Sequence, residues 1–539
     1  MAQLTGAAQP QTGSPVSKPE SHARKWRGSG AGFIVKLILM ALVNAFGITV
    51  ILSAWNVEAW GILVSSIVLL LIADFVYFSK RAVPLKYLYP GLVFLFVFQI
   101  FTMGYTAYVA LTNYGTGHAG SMQQAAEAAL IQDERRVEDS PTYPLAVVTQ
   151  APDVVGFAIN DEGTVRVGTE TQPLADVDGA EVADNGTPTV VPGWEVVPRA
   201  QLYSDAQLQE QVLSLRVPVS DEADAGSLRT REGTRGTIYR SSMVWDPDAQ
   251  TLTDTENDVV YSPTPTGEFA APDGTRLATG WYVFVGIDNF VRAFTDGALA
   301  GDLLQVTIWT FVFAFLSVVI PFAIGLFFAL IYNDERVRGR KIIRTLLILP
   351  YAFPAFMSAL LWRGMFNAEF GVVNEVFFFG SNITWLADPW LAKLAVLFVN
   401  VWLTYPYWFL VTTGALQALP ADTLEAATID GAGKWRRFQA IVLPLLLVST
   451  APLAISSFAF SFNNFTIIYM LTEGGPGFVN SPSRLGATDI LISAIYKISG
   501  VSGGVADYGM ASALSIMVFI VIGIISALAF RQTRKLEEF

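Results

Sequence analysis

Eight stretches of this chain are apolar over lengths that a water-soluble fold seldom requires. They centre on Phe33–Trp55, Trp60–Phe78, Tyr87–Leu111, Leu303–Tyr332, Ile342–Met365, Leu391–Leu416, Ile441–Phe465 and Tyr508–Phe530. The hydrocarbon core of a bilayer is crossed by about 20 apolar residues in a helix. A backbone in lipid must satisfy its own hydrogen bonds, so each stretch is expected to be helical. The sequence therefore predicts an all-α polytopic membrane protein with eight transmembrane helices. Only 15% of its residues are charged, against about 25% in soluble proteins.

Eight crossings put both termini on one side. Basic residues cluster at Arg24, Lys25 and Arg27, at Lys80, Arg81 and Lys86, and at Arg336, Arg338, Arg340, Lys341 and Arg344. Further clusters stand at Lys434, Arg436 and Arg437, and at Arg531, Arg534 and Lys535. The alternate loops, 56–59, 366–390 and 472–507, carry few. The positive-inside rule makes the basic segments cytoplasmic. Both termini are then expected inside the cell and residues 112–285 outside it.

That insertion differs in charge from the rest. Residues 121–280 hold 27 Asp and Glu against 10 Arg and no Lys, a net of -17, while the remainder carries +5. Short alternating runs predict a β-rich domain: Thr164–Val167, Leu215–Val219 and Gly236–Tyr239. Met243–Trp245, a turn at Asp246–Asp248 and Val259–Tyr261 suggest a loose hairpin, and Gln123–Gln132 a helix. Five regions follow: a disordered tail at 1–32, helices one to three at 33–111, an extracytoplasmic β-rich domain at 112–285, a core at 286–531 and a tail at 532–539.

Several chemistries are excluded. Without cysteine there is no disulfide or thiolate site. His22 and His118 lie in unrelated regions, which leaves no histidine-based metal site or triad. Neither charge domain suits nucleic acid. Gly431-Ala432-Gly433-Lys434 is like part of a phosphate-binding loop, but Thr428 stands where glycine is needed and Trp435 where Ser or Thr is. No nucleotide site is evident, and a membrane-embedded enzyme would find only Asp74 in mid-span as an acid.

The most informative segment is Leu419-Pro420-Ala421-Asp422-Thr423-Leu424-Glu425-Ala426-Ala427-Thr428-Ile429-Asp430-Gly431-Ala432-Gly433. Pro420 suits the first turn of a helix and Gly431 the left-handed position that ends one. Ala426 and Ala427 leave a surface that fits another protein's groove, with Glu425 available for a charge-assisted contact. An interfacial helix with incidental alanines is the bland alternative. The pattern Glu425-Ala426-Ala427…Asp430-Gly431-Ala432-Gly433 resembles the EAA loop of ABC importer permeases, the coupling element that docks on an ATPase subunit.

A second segment lies in the seventh span. Ser457, Phe460, Ser461 and Asn464 follow helical spacing i, i+3, i+4, i+7, which predicts one face with an aromatic plane beside hydroxyls and an amide. Such a face suits a sugar. It equally suits polar residues that join helices. In the sixth span, Leu403-Thr404-Tyr405-Pro406-Tyr407 contains a proline that either opens carbonyls toward a cavity or simply kinks the helix.

With these segments in place the chain resembles the MalF-type permease subunits of maltose/maltodextrin importers. The likeness covers the eight spans, the external insertion, Phe284–Phe290, Leu347–Ala352, the EAA loop, the seventh span and Leu471–Pro476. It implies an alternating-access permease subunit forming half of a sugar path, coupled to the ATPase through Glu425, Ala426, Ala427, Asp430, Gly431 and Gly433 in loop 419–437. The implied partners are a second, MalG-type permease, a MalK-type ATPase homodimer that binds the ATP and Mg, and an external MalE-type sugar-binding protein, all at a bacterial inner membrane. The chain itself would hold no cofactor or metal and catalyse nothing. The resemblance implies sugar contacts at Leu403, Tyr407, Ser457, Phe460 and Asn464. It departs at Thr404, where the family has Gly, and at Ser461, where it has Asn, which leaves another oligosaccharide such as trehalose open beside maltodextrin. A membrane sensor with an external ligand domain is the alternative from another class; it predicts a cytoplasmic signalling domain.

Overall fold

The computed structural model describes residues 31–79, 83–138, 140–150, 154–222, 225–297, 299–334 and 336–537. The expected tail at 1–32 lies outside them except for its last two residues, as do the basic residues Arg24, Lys25, Arg27, Lys80 and Arg81. Among the described residues seven helices are long and apolar enough to cross a membrane, and a bent pair makes an eighth. The chain divides into two compact units, Met1–Gly104 and Tyr105–Phe539.

In the first unit, helices Ala31–Asn56 and Trp60–Phe78 form a hairpin. A third, Val83–Leu95, joins their small core of Met40, Ala73, Val76 and Tyr89. Asp74 is not a free acid at membrane depth, for Asn44 Nδ2 donates to its Oδ1 at 2.9 Å. A polar pair of this kind fixes two helices together. The third span continues as a π turn at Phe96–Phe101 and ends in the second unit with Thr102–Val109.

Among its described residues the insertion that follows holds two large sheets and a two-stranded ribbon, Glu181–Val182 with Pro188–Val190. In the larger, the meander Tyr143–Gln150, Val154–Asp161, Thr164–Thr169 is extended through Arg235–Arg240 and Ser227–Thr230. Its inward residues Leu145, Val147, Phe157, Ile159 and Leu228 pack on Leu202 and Val212 of two short helices. The smaller sheet is a five-stranded meander from Met243 to Gly280. Helix Met122–Asp133, closed by a Ser121–Gln124 capping box, lays Ala125, Ala126 and Ala129 on Leu252, Phe269 and Trp281. Small residues let a helix sit close to a sheet rich in aromatics.

Two sequence expectations change here. Met243–Asp246 pairs with Thr251–Asp254, and Val259–Pro263 pairs on the far side of that strand. Asp246 closes the tight turn by accepting from the N–H groups of Asp248 and Ala249. Within Leu215–Val219 only Val217–Pro218 is strand, because a proline gives no ladder donor. At the neck, Thr112 bridges Phe284, and the Asn113 amide bonds the carbonyls of Thr266 and Trp281.

Below the neck, the fourth span Ala300–Tyr332 and the sixth, Pro389–Gln417, pack side by side along their length. They run parallel: Lys393 lies over Trp309, Gly325 abuts Trp408 and Phe409, and Gln417 bonds Asn333. Gly325 allows this approach because it has no side chain. The fifth span is not one straight helix. Arg340–Ala352 and Ala355–Met365 meet at 93°, across Pro354, whose neighbour cannot stay helical. The seventh, Lys434–Phe462, stops at Asn463, and a separate helix Phe465–Thr472 begins beyond it. The last helix, Tyr508–Glu537, continues through most of the expected tail 532–539. Nothing in Arg531–Glu537 breaks a helix, and its basic residues suit a helix C-terminus.

Candidate functional site

Asn400, Leu403, Thr404 and Tyr407 occupy one stripe of the sixth helix at i, i+3, i+4, i+7. Leu403 is buried in the bundle core with Val399 and Ile467. Thr404 turns its hydroxyl back to the Asn400 carbonyl at 2.6 Å. The helix runs unbroken through buried Pro406, so this proline does not open a cavity by breaking the rod. Tyr407 stands beside Ser457 of the seventh span. Asn464 Nδ2 donates to Asn400 Oδ1 at 3.2 Å. One polar bond, and the neighbouring Tyr407 and Ser457, thus join the sixth span to the segment of the seventh that the sequence singled out.

The expected single face on the seventh span is divided. Ser461 is 5% exposed and packed inward, whereas Phe460 is 72% exposed. Asn464 does not continue that helix: the backbone leaves α geometry at Asn463, and Asn464 stands before the next helix with φ -78° and ψ 70°. Adjacent asparagines compete for backbone hydrogen bonds and favour such breaks. The break turns Asn464 toward Asn400. Asn400 is a residue that sequence reading missed, although its spacing to Leu403, Thr404 and Tyr407 was the usable signal.

Asn400 is fully buried, and its Nδ2 has no hydrogen-bond partner among the described residues. Ser317 of the fourth helix is likewise buried with an unpartnered hydroxyl. The register of the parallel pair sets Ser317 level with Asn400. Unpaired polar atoms in a dry interior each cost about 1–3 kcal/mol, so this layer is polar at a price in stability. Toward the 419–437 loop, a largely apolar cleft of about 610 Å³ lies between the sixth and seventh spans, with Tyr407 at one end and Gly414, Ser449 and Leu453 in its walls.

Beyond Asn464, the helix Phe465–Thr472 is held by the loop that follows it. Thr472 and Thr488 share a hydroxyl bond at 2.7 Å, and Trp309 Nε1 donates to the Thr488 carbonyl. The loop is fastened by Asp489, which accepts from Gly486 N, Ser493 Oγ and Lys497 Nζ at 2.6–2.7 Å. Burial pushes the Asp489 carboxyl above its ordinary value, and the Lys497 ammonium pulls it back.

The segment singled out as a coupling element forms a helix, Ala421–Ile429, with Pro420 just before its first turn, at the N-cap position and making no side-chain cap. It ends as expected, with Gly431 at φ +79° and Ala432 N bonded to the Ala427 carbonyl. Glu425, Ala426, Asp430, Gly431 and Gly433 are exposed and Ala427 is half-buried. Ile429 is 86% and Trp435 68% exposed, on either side of the turn. Large apolar side chains bared beside a polar turn mark a surface built for contact. They too were missed, since composition does not tell which side of a short helix is covered.

Residues 321–537 match the family described as "Binding-protein-dependent transport system inner membrane component", and residues 93–171 the "N-terminal of TM subunit in PBP-dependent ABC transporters". Fold and match define a transport subunit of the inner membrane, which is not itself an enzyme. The maltose/maltodextrin transport system permease protein MalF of Vibrio vulnificus (strain YJ016) is 32% identical over 522 residues, covering 94% of this chain and 96% of that protein. MalF of Escherichia coli (strain K12) is 32% identical over 472 residues, 85% of this chain and 89% of its own. The chain belongs to the MalF family of ABC importer permeases. Among solved structures, a bacterial alginate ABC transporter with its oligosaccharide-bound periplasmic protein aligns at TM-score 0.41 and 23% identity, over 47% of this chain and 84% of that one. The assignment rests on the MalF relatives alone.

Proposed function

We propose that the chain forms half of the path by which a maltodextrin or related α-glucoside enters the cell, with the sugar held against the sixth and seventh spans. The observation that carries this reading is the Asn464–Asn400 bond between the two spans, with Tyr407 beside Ser457 and Phe460 exposed. A pyranose presents C–H faces that stack on an aromatic ring and hydroxyls that need donors and acceptors. Thr404, Ser457 and Asn464 supply those groups beside Phe460, and Leu403, buried in the bundle core, supports them by packing. Ser461 faces the bundle in this conformation and acts on the site through packing.

The partners of this reading are a second permease, two copies of an ATPase that binds ATP and Mg, and an external sugar-binding protein. Helix Ala421–Ile429 docks on the ATPase through Glu425, Ala426, Ala427 and the Asp430–Gly433 turn, with Ile429 and Trp435 as apolar anchors. Closure of the ATPases moves this helix and rocks the spans between outward and inward openings. The β-rich insertion faces outward at the pore mouth and holds the loaded binding protein. Both termini are cytoplasmic.

The test is ATP hydrolysis and uptake by the reconstituted complex with its binding protein and a panel of α-glucosides. Phe460→Ala and Asn464→Ala are expected to lower uptake with the complex still assembled; undiminished uptake in both sinks the site. Single cysteines at Ser204 and Ser262 should react with an impermeant reagent in intact cells, and one at Thr428 should not. Labelling of Thr428→Cys alone inverts the topology.

A further inference from the structure

Where the fourth and eighth spans reach the β-rich insertion, they part around a cavity of about 400 Å³. Its walls are Phe294, Leu304, Thr307, Phe311, Leu514 and Met517. The Thr307 hydroxyl in the wall is already bonded to the Leu303 carbonyl at 2.6 Å. A sugar, ion or peptide seated here would leave its polar groups unpaired.

The rim is formed by helix Asp288–Thr295, which is clamped on one side only. Asn289 Nδ2 donates to the carbonyls of Ala110 and Thr112 at 3.0 and 2.7 Å, and Arg292 pairs with Asp507 at 3.1 Å. That fastening leaves Ile287, Val291 and Phe294 exposed at i, i+4, i+7. A helix whose polar side is tied to the protein and whose apolar side faces out, at the end of a membrane span, has the geometry of one lying in the bilayer interface. The cavity is continuous with the apolar belt of the spans, since Leu304 and Ile520 on its margin are exposed. Helix contacts in membranes favour small residues over the bulky walls found here, which argues against a neighbouring transmembrane helix as the occupant.

We propose that this groove seats one acyl chain of a phospholipid from the leaflet on the insertion side, with the Ile287–Val291–Phe294 stripe at the headgroup boundary. A bound chain completes the packing between the fourth and eighth spans that the protein leaves open.

The test uses the full chain in its assembled complex, in vesicles of phosphatidylethanolamine and phosphatidylglycerol doped with a phosphatidylglycerol bearing a mid-chain diazirine. After illumination, peptides containing Thr307 and Met517 should carry several-fold more lipid than the exposed first-span peptide around Leu42 and Phe46. Filling the groove from either wall, with Thr307→Trp or Leu514→Trp, should bring that excess down to the first-span level. Uniform labelling in the wild type, or an excess that both fillers leave intact, overturns the proposal. So does a photoreactive residue at Leu304 that crosslinks to another polypeptide instead of lipid.

Discussion

Gly325 offers a direct measure of how tightly the fourth and sixth spans are joined. A Cβ at this position would lie 2.5 Å from Phe409 N, 2.6 Å from Trp408 C and 2.8 Å from Trp408 Cβ. Two of the three are backbone atoms, so no rotamer change relieves the overlap. The sixth helix must retreat by about 1 Å to restore ordinary contact, and such a gap forfeits roughly a quarter to a half of each dispersion contact it opens. Over-packing of this kind costs about 1–3 kcal/mol. Alanine recovers about 1 kcal/mol as a better helix former than glycine. Gly325→Ala should therefore lose about 1 kcal/mol net, and Gly325→Leu, with the same gain but far more bulk, about 3 kcal/mol or more. Thermal unfolding of the purified protein, followed by tryptophan fluorescence, reads the order wild type, Ala, Leu. A Gly325→Leu protein that melts with the wild type refutes the close packing.

Lys497→Met leaves Asp489 buried without its cation, an error worth about 3–5 kcal/mol. Because the folded carboxyl is already raised above 3.8, stability linked to it is full below that value and falls as pH rises through the folded value. The variant, whose carboxyl is raised further, should therefore lag the wild type more at pH 8 than at pH 5 in thermal melts; a constant gap contradicts this. Gly431→Ala meets no neighbouring atom and pays only the left-handed backbone, about 1–2 kcal/mol. Gly431→Pro cannot adopt φ +79° at all, so it should uncouple ATP hydrolysis from uptake where alanine does so only mildly; equal coupling in both discards the turn. In a cycle of Asn400→Leu and Asn464→Leu, the unfolding free energies should show a coupling of about 0.6–1.7 kcal/mol, and strict additivity means the bond is not made in solution.

The spans were legible because lipid demands long apolar helices, and Trp60–Phe78 needed no information beyond that. The loop helix was legible too, since Pro420 and Gly431 each restrict the backbone locally. What could not be read were effects of neighbours. The fifth span looks continuous in hydropathy, yet Pro354 bends it by 93°. Ser461 and Phe460 are adjacent and periodic, yet only packing against other helices decides which is covered. The face predicted through Asn464 failed because periodicity assumes an unbroken helix, and Asn463-Asn464 ends it. Asn400 was within reach, but a polar residue among apolar neighbours gains meaning only once its partner on another span is known.

The jammed contact at Gly325 has a mechanical consequence. With their backbones touching, the fourth and sixth helices cannot slide past one another and so behave as a single beam. One end of this beam, Gln417, is only four residues from the start of helix Ala421–Ile429, and Asn400 stands 17 residues, or about 26 Å, along it. Pivoted at the Gln417 end, a tilt of about 5° displaces Asn400 by about 2 Å. Its bond from Asn464 is 3.2 Å long and does not survive such a stretch. On the proposed alternating-access reading, the small amide pair would be a latch at the far end of a long arm, released or closed by a movement that is slight where it begins.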